Sequence, residues 1–149
     1  MPADAPSVLI DTSIWVKGQR DPRWFESVVA GQADLATCDT AVGEFEVALH
    51  APRDQKTREQ VRAFLNAAIL PTMSLPHVPD DFHEAARLIG EAIFSSAAKP
   101  SFADGLIAAC ARRTNRVVWT TDETDFEAMG CDTFDPWKAS NNPPPQKPA

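Results

Sequence analysis

The sequence predicts an α/β domain with a parallel sheet of four or five strands and helices on both faces. Three observations lead there. Two short runs rich in β-branched residues, Ser7-Val8-Leu9-Ile10 and Val117-Val118-Trp119-Thr120-Thr121, each stop at an aspartate, Asp11 and Asp122. Runs of this kind are strands buried on both faces, as in parallel sheets. Between them lie segments with helical spacing, and strand-like and helix-like segments alternate along the chain.

In order, the first strand is Ser7 to Ile10. A helix follows over Pro22 to Val29, opened by Asp21 as N-cap and Pro22 at the first helical position. A short strand is expected at Leu35 to Cys38. The next helix, Thr40 to His50, carries Val42, Phe45 and Leu49 at i, i+3 and i+7. Thr57 to Ala68 is helical, Thr72 to Leu75 a strand, and Asp80 to Phe94 and Ser101 to Thr114 helical, the last closing at Asn115. The strand Val117 to Thr121 precedes a short helical stretch ending near Met129, and Thr133-Phe134 is a last strand. Residues 138–149, KASNNPPPQKPA, have no apolar periodicity and are expected to form a disordered tail after a domain spanning 1–137.

A chain of 149 residues, 44% hydrophobic, suits one domain with a substantial core. Three widely spaced cysteines, Cys38, Cys110 and Cys131, form no zinc or redox motif and read as reduced thiols. No stretch reaches the roughly 20 apolar residues of a membrane span, and the opening MPADAPS lacks the pattern of a signal peptide. The expectation is a cytoplasmic protein with no membrane partner. A net charge of −7 runs against nucleic-acid binding unless acids are clustered around metal ions or a local basic patch meets the phosphates.

With 21 acids in the chain, only their placement is informative. Asp11 and Asp122 directly follow buried strands, and in open α/β sheets ligands bind beyond the carboxyl ends of the strands. Asp104 lies in the first turn of the helix beginning near Ser101, among the small residues Ala103, Gly105 and Ala108. Gly105 costs a helix about 1 kcal/mol relative to alanine, which calls for a local reason such as close chain approach. Glu44 and Glu46 flank the apolar stripe of their helix, and the helical wheel barely separates them. Converging carboxylates repel unless a cation joins them, and an all-oxygen donor set suits Mg²⁺ or Mn²⁺. Such a site hydrolyses phosphodiesters.

Each acid also has a structural reading. Ser101 and Asp104 match a capping box, Asp122 and Asp125 match a helix start, Asp11 with Ser13 could open a helix, and Glu44 could be a solvated charge. Trp15, Trp24, Phe25 and Phe64 read as core, with Trp24 and Phe25 in a partner groove as the minority reading. Lys17, Arg20 and Arg23 read as a solvated basic face.

Val8 to Ser13, Thr40 to Glu44, Ser101-x-x-Asp104-Gly105-Leu106-Ile107-Ala108-Ala109 and Thr120-Thr121-Asp122-x-x-Asp125-Phe126 resemble, in order and spacing, the motifs of PIN-domain toxins of the VapC type. The resemblance runs from about Ser7 to Phe134 and implies a PIN-like three-layer α/β/α fold. It further implies that Asp11, Glu44, Asp104 and Asp122 form an acidic quartet binding Mg²⁺ or Mn²⁺. Asp125 would help, and Thr12, Ser13 and Thr121 would support the site. Similar proteins cut RNA, form homodimers and are silenced by a cognate antitoxin that can insert an arginine among the carboxylates. Gly105 stands where the family usually carries alanine, and Lys17 to Arg23 is a local variant. A non-catalytic module of the same fold is the alternative. A receiver or phosphotransferase domain and a haloacid dehalogenase-like enzyme are disfavoured, because Ser13 stands where the latter has its second aspartate and Glu123 follows Asp122.

Overall fold

The computed structural model describes residues 5–51 and 54–141. Five strands, β1 (Ser7–Ile10), β2 (Asp34–Cys38), β3 (Met73–Leu75), β4 (Val117–Trp119) and β5 (Thr133–Phe134), form one sheet in the order β3-β2-β1-β4-β5. Every pairing is parallel. The chain starts in the middle of the sheet, winds outward through β2 to β3, and returns to the other side of β1 for β4 and β5. The winding therefore reverses between β1 and β4, and that switch point opens a crevice at the carboxyl ends of the two strands.

The helices are α1 (Thr12–Arg20), α2 (Pro22–Trp24), α3 (Asp39–His50), α4 (Gln55–Phe64), α5 (Pro79–Ser95), α6 (Phe102–Arg113), α7 (Glu123–Ala128) and α8 (Pro136–Asn141). Both α2 and α4 continue into a π-helical turn, Phe25–Val29 and Leu65–Ile69. Capping by side chains explains several helix starts. The Asp21 carboxylate accepts from the Trp24 amide at 3.1 Å with Pro22 at the first position. Asp54 accepts from the Thr57 amide at 2.8 Å, which starts α4 two residues before the expected Thr57. The sequence left α1 only as an alternative reading of Asp11 and Ser13. It forms because Ile14, Trp15 and Gly18 present one face to the core.

Two further boundaries differ from expectation. β4 ends at Trp119 rather than Thr121, since its neighbour β5 has two residues and the Thr120 amide makes the last contact, to the Phe134 carbonyl. Helical structure continues through Asn141, four residues into the segment expected to be a tail. Trp24 and Trp137 meet with ring centroids 5.1 Å apart, the Trp24 indole N–H donates to Ser140, and the Lys17 ammonium sits 4.5 Å from the Trp137 ring. Those contacts hold α8 against the body. The rest of the expected tail, 142–149, lies outside the described residues.

Val8, Leu9 and Ile10 have no exposed surface. Trp15, Phe25, Phe45 and Phe64 pack as a chain of rings with centroids 5.3–6.3 Å apart. Trp24 is also buried, so the four aromatics read as core lie there and the partner-groove reading of Trp24 and Phe25 falls away. All three cysteines are buried and unbridged.

Between the helices lies a polar clamp the sequence did not suggest. Asp81, 2% exposed, accepts from Arg113 at 2.9 and 3.0 Å and from the Val78 amide at 3.1 Å. Its other neighbour is His77, whose far ring nitrogen meets the Thr40 hydroxyl at 2.6 Å. Burial pushes the Asp81 carboxyl up, but Arg113, the Val78 amide and His77 outweigh it and hold it below the usual range. The clamp fastens the starts of α3 and α5 to the end of α6. The close approach expected at Gly105 is present: a β-carbon there would lie 2.5 Å from Ile89 Cδ1 and 3.2 Å from the Ala85 β-carbon.

At Gly18 a β-carbon would lie 2.8 Å from both the Phe25 and Phe64 rings, which are locked in the aromatic chain. Gly18→Ala should therefore destabilise the fold by about 1–3 kcal/mol from overpacking, despite a helix-propensity gain of about 1 kcal/mol. Urea denaturation checks this; a stabilised variant would show that the rings can give way.

Candidate active site

Asp11 is the residue after β1, and its amide donates to the Trp119 carbonyl at 3.0 Å, which fixes it beside the end of β4. It stands at the N-cap position of α1, yet its side chain does not cap that helix. The carboxylate turns instead into the crevice, where one oxygen accepts from the Ser13 and Thr120 hydroxyls, each at 2.8 Å. Both hydroxyls are held in turn. Ser13 Oγ accepts from the Thr121 amide at 3.0 Å, and Thr120 Oγ1 from the Asp122 amide at 2.9 Å. The segments after β1 and β4 are thus stitched together around one carboxylate.

Asp11 is only 5% exposed. Burial pushes its carboxyl up to about 6, the Ser13 and Thr120 hydroxyls pull against this, and the negative charge of Asp104 adds to the rise. Asp122 is also raised, first by desolvation, then by the Asp125 carboxyl beside it, with Asp104 contributing. Asp104, Asp122 and Asp125 each offer an oxygen within 4.8 Å of the others. No arginine or lysine bridges these acids among the described residues.

The bland readings resolve differently for each acid. The capping box is formed: Ser101 Oγ accepts from the Asp104 amide and one Asp104 oxygen accepts from the Ser101 amide, both at 3.1 Å. The second Asp104 oxygen stays free of that box, so capping leaves one oxygen available to the triad. Asp122 stands at the N-cap of α7 with no side-chain cap bond, leaving its carboxylate available. Glu44 is exposed and lies outside the tight triad, but its Oε1 accepts from the Thr12 hydroxyl at 2.7 Å, tying it to the residue beside Asp11. Glu46 makes no side-chain hydrogen bond among the described residues, so tertiary contact separates the two glutamates that the helical wheel could not.

Among the supporting residues, Thr12 and Ser13 donate their hydroxyls as described. Thr121 contributes its backbone amide, whereas the hydroxyl that reaches Asp11 belongs to Thr120, fully buried. Sequence reasoning missed Thr120, which follows β4 directly and is buried like Val118 and Trp119 before it.

The PIN-domain family matches residues 8–130, and the chain belongs to it. That membership places the activity in the nuclease class. Within the family the chain is similar to toxins of the VapC type. It is 25% identical to a member of the VapBC family of toxin-antitoxin systems, VapBC-5 from Mycobacterium tuberculosis, with a TM-score of 0.64, covering 87% of this chain and 97% of that one. FitAcB from Neisseria gonorrhoeae shares the fold at 24% identity and TM-score 0.70, covering 87% and 98%. So does VapC20 from Mycobacterium tuberculosis, a Sarcin-Ricin loop cleaving toxin, at 16% and 0.63, covering 84% and 96%. No curated protein sequence matches the chain.

The raised Asp11 carboxyl sets a pH dependence. Between its ordinary value of 3.8 and about 6, the folded metal-free protein binds a proton that the unfolded chain has released. Metal-free stability should therefore fall as pH rises through that window and level off above it. A cation competes with the same proton. Mn²⁺ affinity, measured by calorimetry, should rise by about tenfold per pH unit up to pH 6 and then flatten. Asp11→Asn should weaken both trends, leaving the part that the raised Asp122 carboxyl contributes, and a variant that kept them undiminished would place the titrating group elsewhere.

Proposed function

We propose that the chain is a metal-dependent endoribonuclease, the toxin component of a toxin–antitoxin pair. The observation that carries this reading is the triad of Asp104, Asp122 and Asp125, with the buried Asp11 outside it but near enough for the Asp104 charge to raise its carboxyl, and no cationic side chain bridging them among the described residues. Uncompensated, such a cluster raises its own protonation, as Asp11 and Asp122 do. A hard divalent cation offsets it, and the all-oxygen donor set fits Mg²⁺ or Mn²⁺ better than softer metals.

Asp11, Asp104 and Asp122 would hold the ion, with Asp125 assisting and Glu44 at the margin. When bound, the cation lowers the pKa of water and offsets charge on the scissile phosphate. The remaining chemistry belongs to this chain's side chains. Ser13 and Thr120 each donate to the same Asp11 oxygen and thereby fix which oxygen faces the crevice. Thr12 holds Glu44 by Oε1, leaving Oε2 to accept a hydrogen bond from the attacking water and take its proton as the new phosphorus–oxygen bond forms and the bond to the leaving ribose oxygen breaks, that oxygen taking a proton from solvent water. The Ser101 amide orients Asp104.

The substrate is RNA, the working form a homodimer and the inhibitor a cognate antitoxin. An antitoxin arginine would meet the carboxylates with charge-assisted hydrogen bonds where the cation binds. A cleft of about 770 Å³ beside Glu44, walled by Val16, Phe45, Val61 and Phe64 with Arg20 at its side, suits an apolar antitoxin segment leading to the site.

Purified protein should cleave RNA in Mg²⁺ or Mn²⁺ and stop in chelator. Asp11→Asn and Asp122→Asn should each lower the rate by about a hundredfold or more, since even residues behind metal ligands cost 10–100-fold. Cleavage at the wild-type rate by Asp11→Asn would overturn the assignment. Asp104→Asn is the sharper variant, because asparagine still accepts the Ser101 amide. It should lose cleavage while its melting temperature moves by no more than about 2 °C; a large loss of stability with activity intact would make Asp104 a capping residue only.

A further inference from the structure

A second cleft, of about 660 Å³, opens between the segment joining α5 to α6 and the flank of α7. Ser96 and Lys99 line one side, Thr124, Asp125 and Glu127 the other. Asp125 belongs to the carboxylate triad as well, so this cleft and the active site share a wall.

Lys99 is the cation in that cleft, and the segment carrying it is firmly held. Its neighbours Ala98 and Pro100 are both buried, which turns Lys99 outward between them. Ser96 Oγ donates to the Ala92 carbonyl at 2.7 Å and accepts from the Ala98 amide at 3.1 Å. Two residues after Lys99 comes Ser101, locked in its capping box with Asp104. The lysine is thus placed by the same short segment that places a carboxylate of the site. It forms no ion pair among the described residues, although Asp125 and Glu127 line the same cleft.

A chain of net charge −7 that cuts a polyanion must meet it with cations at chosen points. We infer that Lys99 binds a phosphate of the RNA strand flanking the scissile bond, and that the cleft between Lys99 and Thr124 is the path of that strand away from the carboxylates. This rests on the nuclease reading above and adds a binding residue outside the four sequence motifs. The ammonium is a point charge with rotatable donors, suited to any phosphate and blind to base identity.

The test uses the full chain and a fluorescent single-stranded RNA oligonucleotide that the wild type cleaves. Lys99→Met should raise KM about five- to tenfold with kcat and Mn²⁺ affinity unchanged. The slope of log binding affinity against log salt should shrink by about 0.7, one phosphate on a single strand. Lys99→Arg should restore both, and Lys99→Glu should be worse than Met. Unchanged KM and salt slope in Lys99→Met, with wild-type cleavage intact, would overturn the inference and leave the nuclease reading standing. Weakened antitoxin binding with unchanged KM would overturn it too, by assigning Lys99 to the protein partner. A wild type that binds Mn²⁺ but cleaves no RNA would instead sink the reading on which it rests.

Discussion

A carboxylate withdrawn from water at the end of a central strand is the constraint around which this protein is arranged. Asp11 gives up hydration and is returned only two hydroxyl hydrogen bonds, both on one oxygen. That imbalance is why its carboxyl is raised. The carboxylate remains there because Ser13 and Thr120 come from the segments following two adjacent strands, and each is fixed by a backbone amide of the Thr121–Asp122 turn. Moving any of these groups disturbs the others, so the site is as rigid as the β1–β4 pairing beneath it.

The surrounding structure serves that position at some cost in stability. Bringing Asp104 near both Asp11 and Asp122 adds like-charge repulsion to desolvation, and a cation or a guanidinium would reverse the sign of that contribution. Under the proposed function, the same charge distribution would favour two ligands of opposite consequence, a metal that supports cleavage and an arginine that blocks it. Elsewhere the fold keeps its buried charge matched: Asp81 is met by Arg113 and His77, and its carboxyl is held low where that of Asp11 is driven high. Two buried aspartates in one domain, shifted in opposite directions, separate the structural clamp from the candidate site.

Much of the fold was legible because its strands are short, continuous and apolar, a signature of burial on both faces. Where boundaries moved, the cause was a cap or a contact remote in sequence: Asp54 starts α4 early, and the Trp24–Trp137 contact together with the Trp24–Ser140 bond carries helical structure past Trp137. Helix α1 was obscured by Lys17, Gln19 and Arg20, whose polarity hides a face that buries Ile14, Trp15 and Gly18. Thr120 and Lys99 went unread for a different reason. A threonine at a strand end and a lone lysine in a loop acquire meaning only from what stands across from them.

The sequence by itself determined the order and kind of the elements, and it placed an acid just beyond each of two buried strands and another in the first turn of a helix, because periodicity and capping act over a few residues. Which of those acids share space was decided by the tertiary structure alone. Strand order, with β4 lying against β1 across more than a hundred residues of chain, brings Asp11 beside Thr120 and Asp122. The Thr12 hydroxyl selects Glu44 over Glu46. Local propensity cannot encode either outcome, since both depend on burying two amphipathic surfaces against one sheet, and that free energy exists only once the chain has closed on itself.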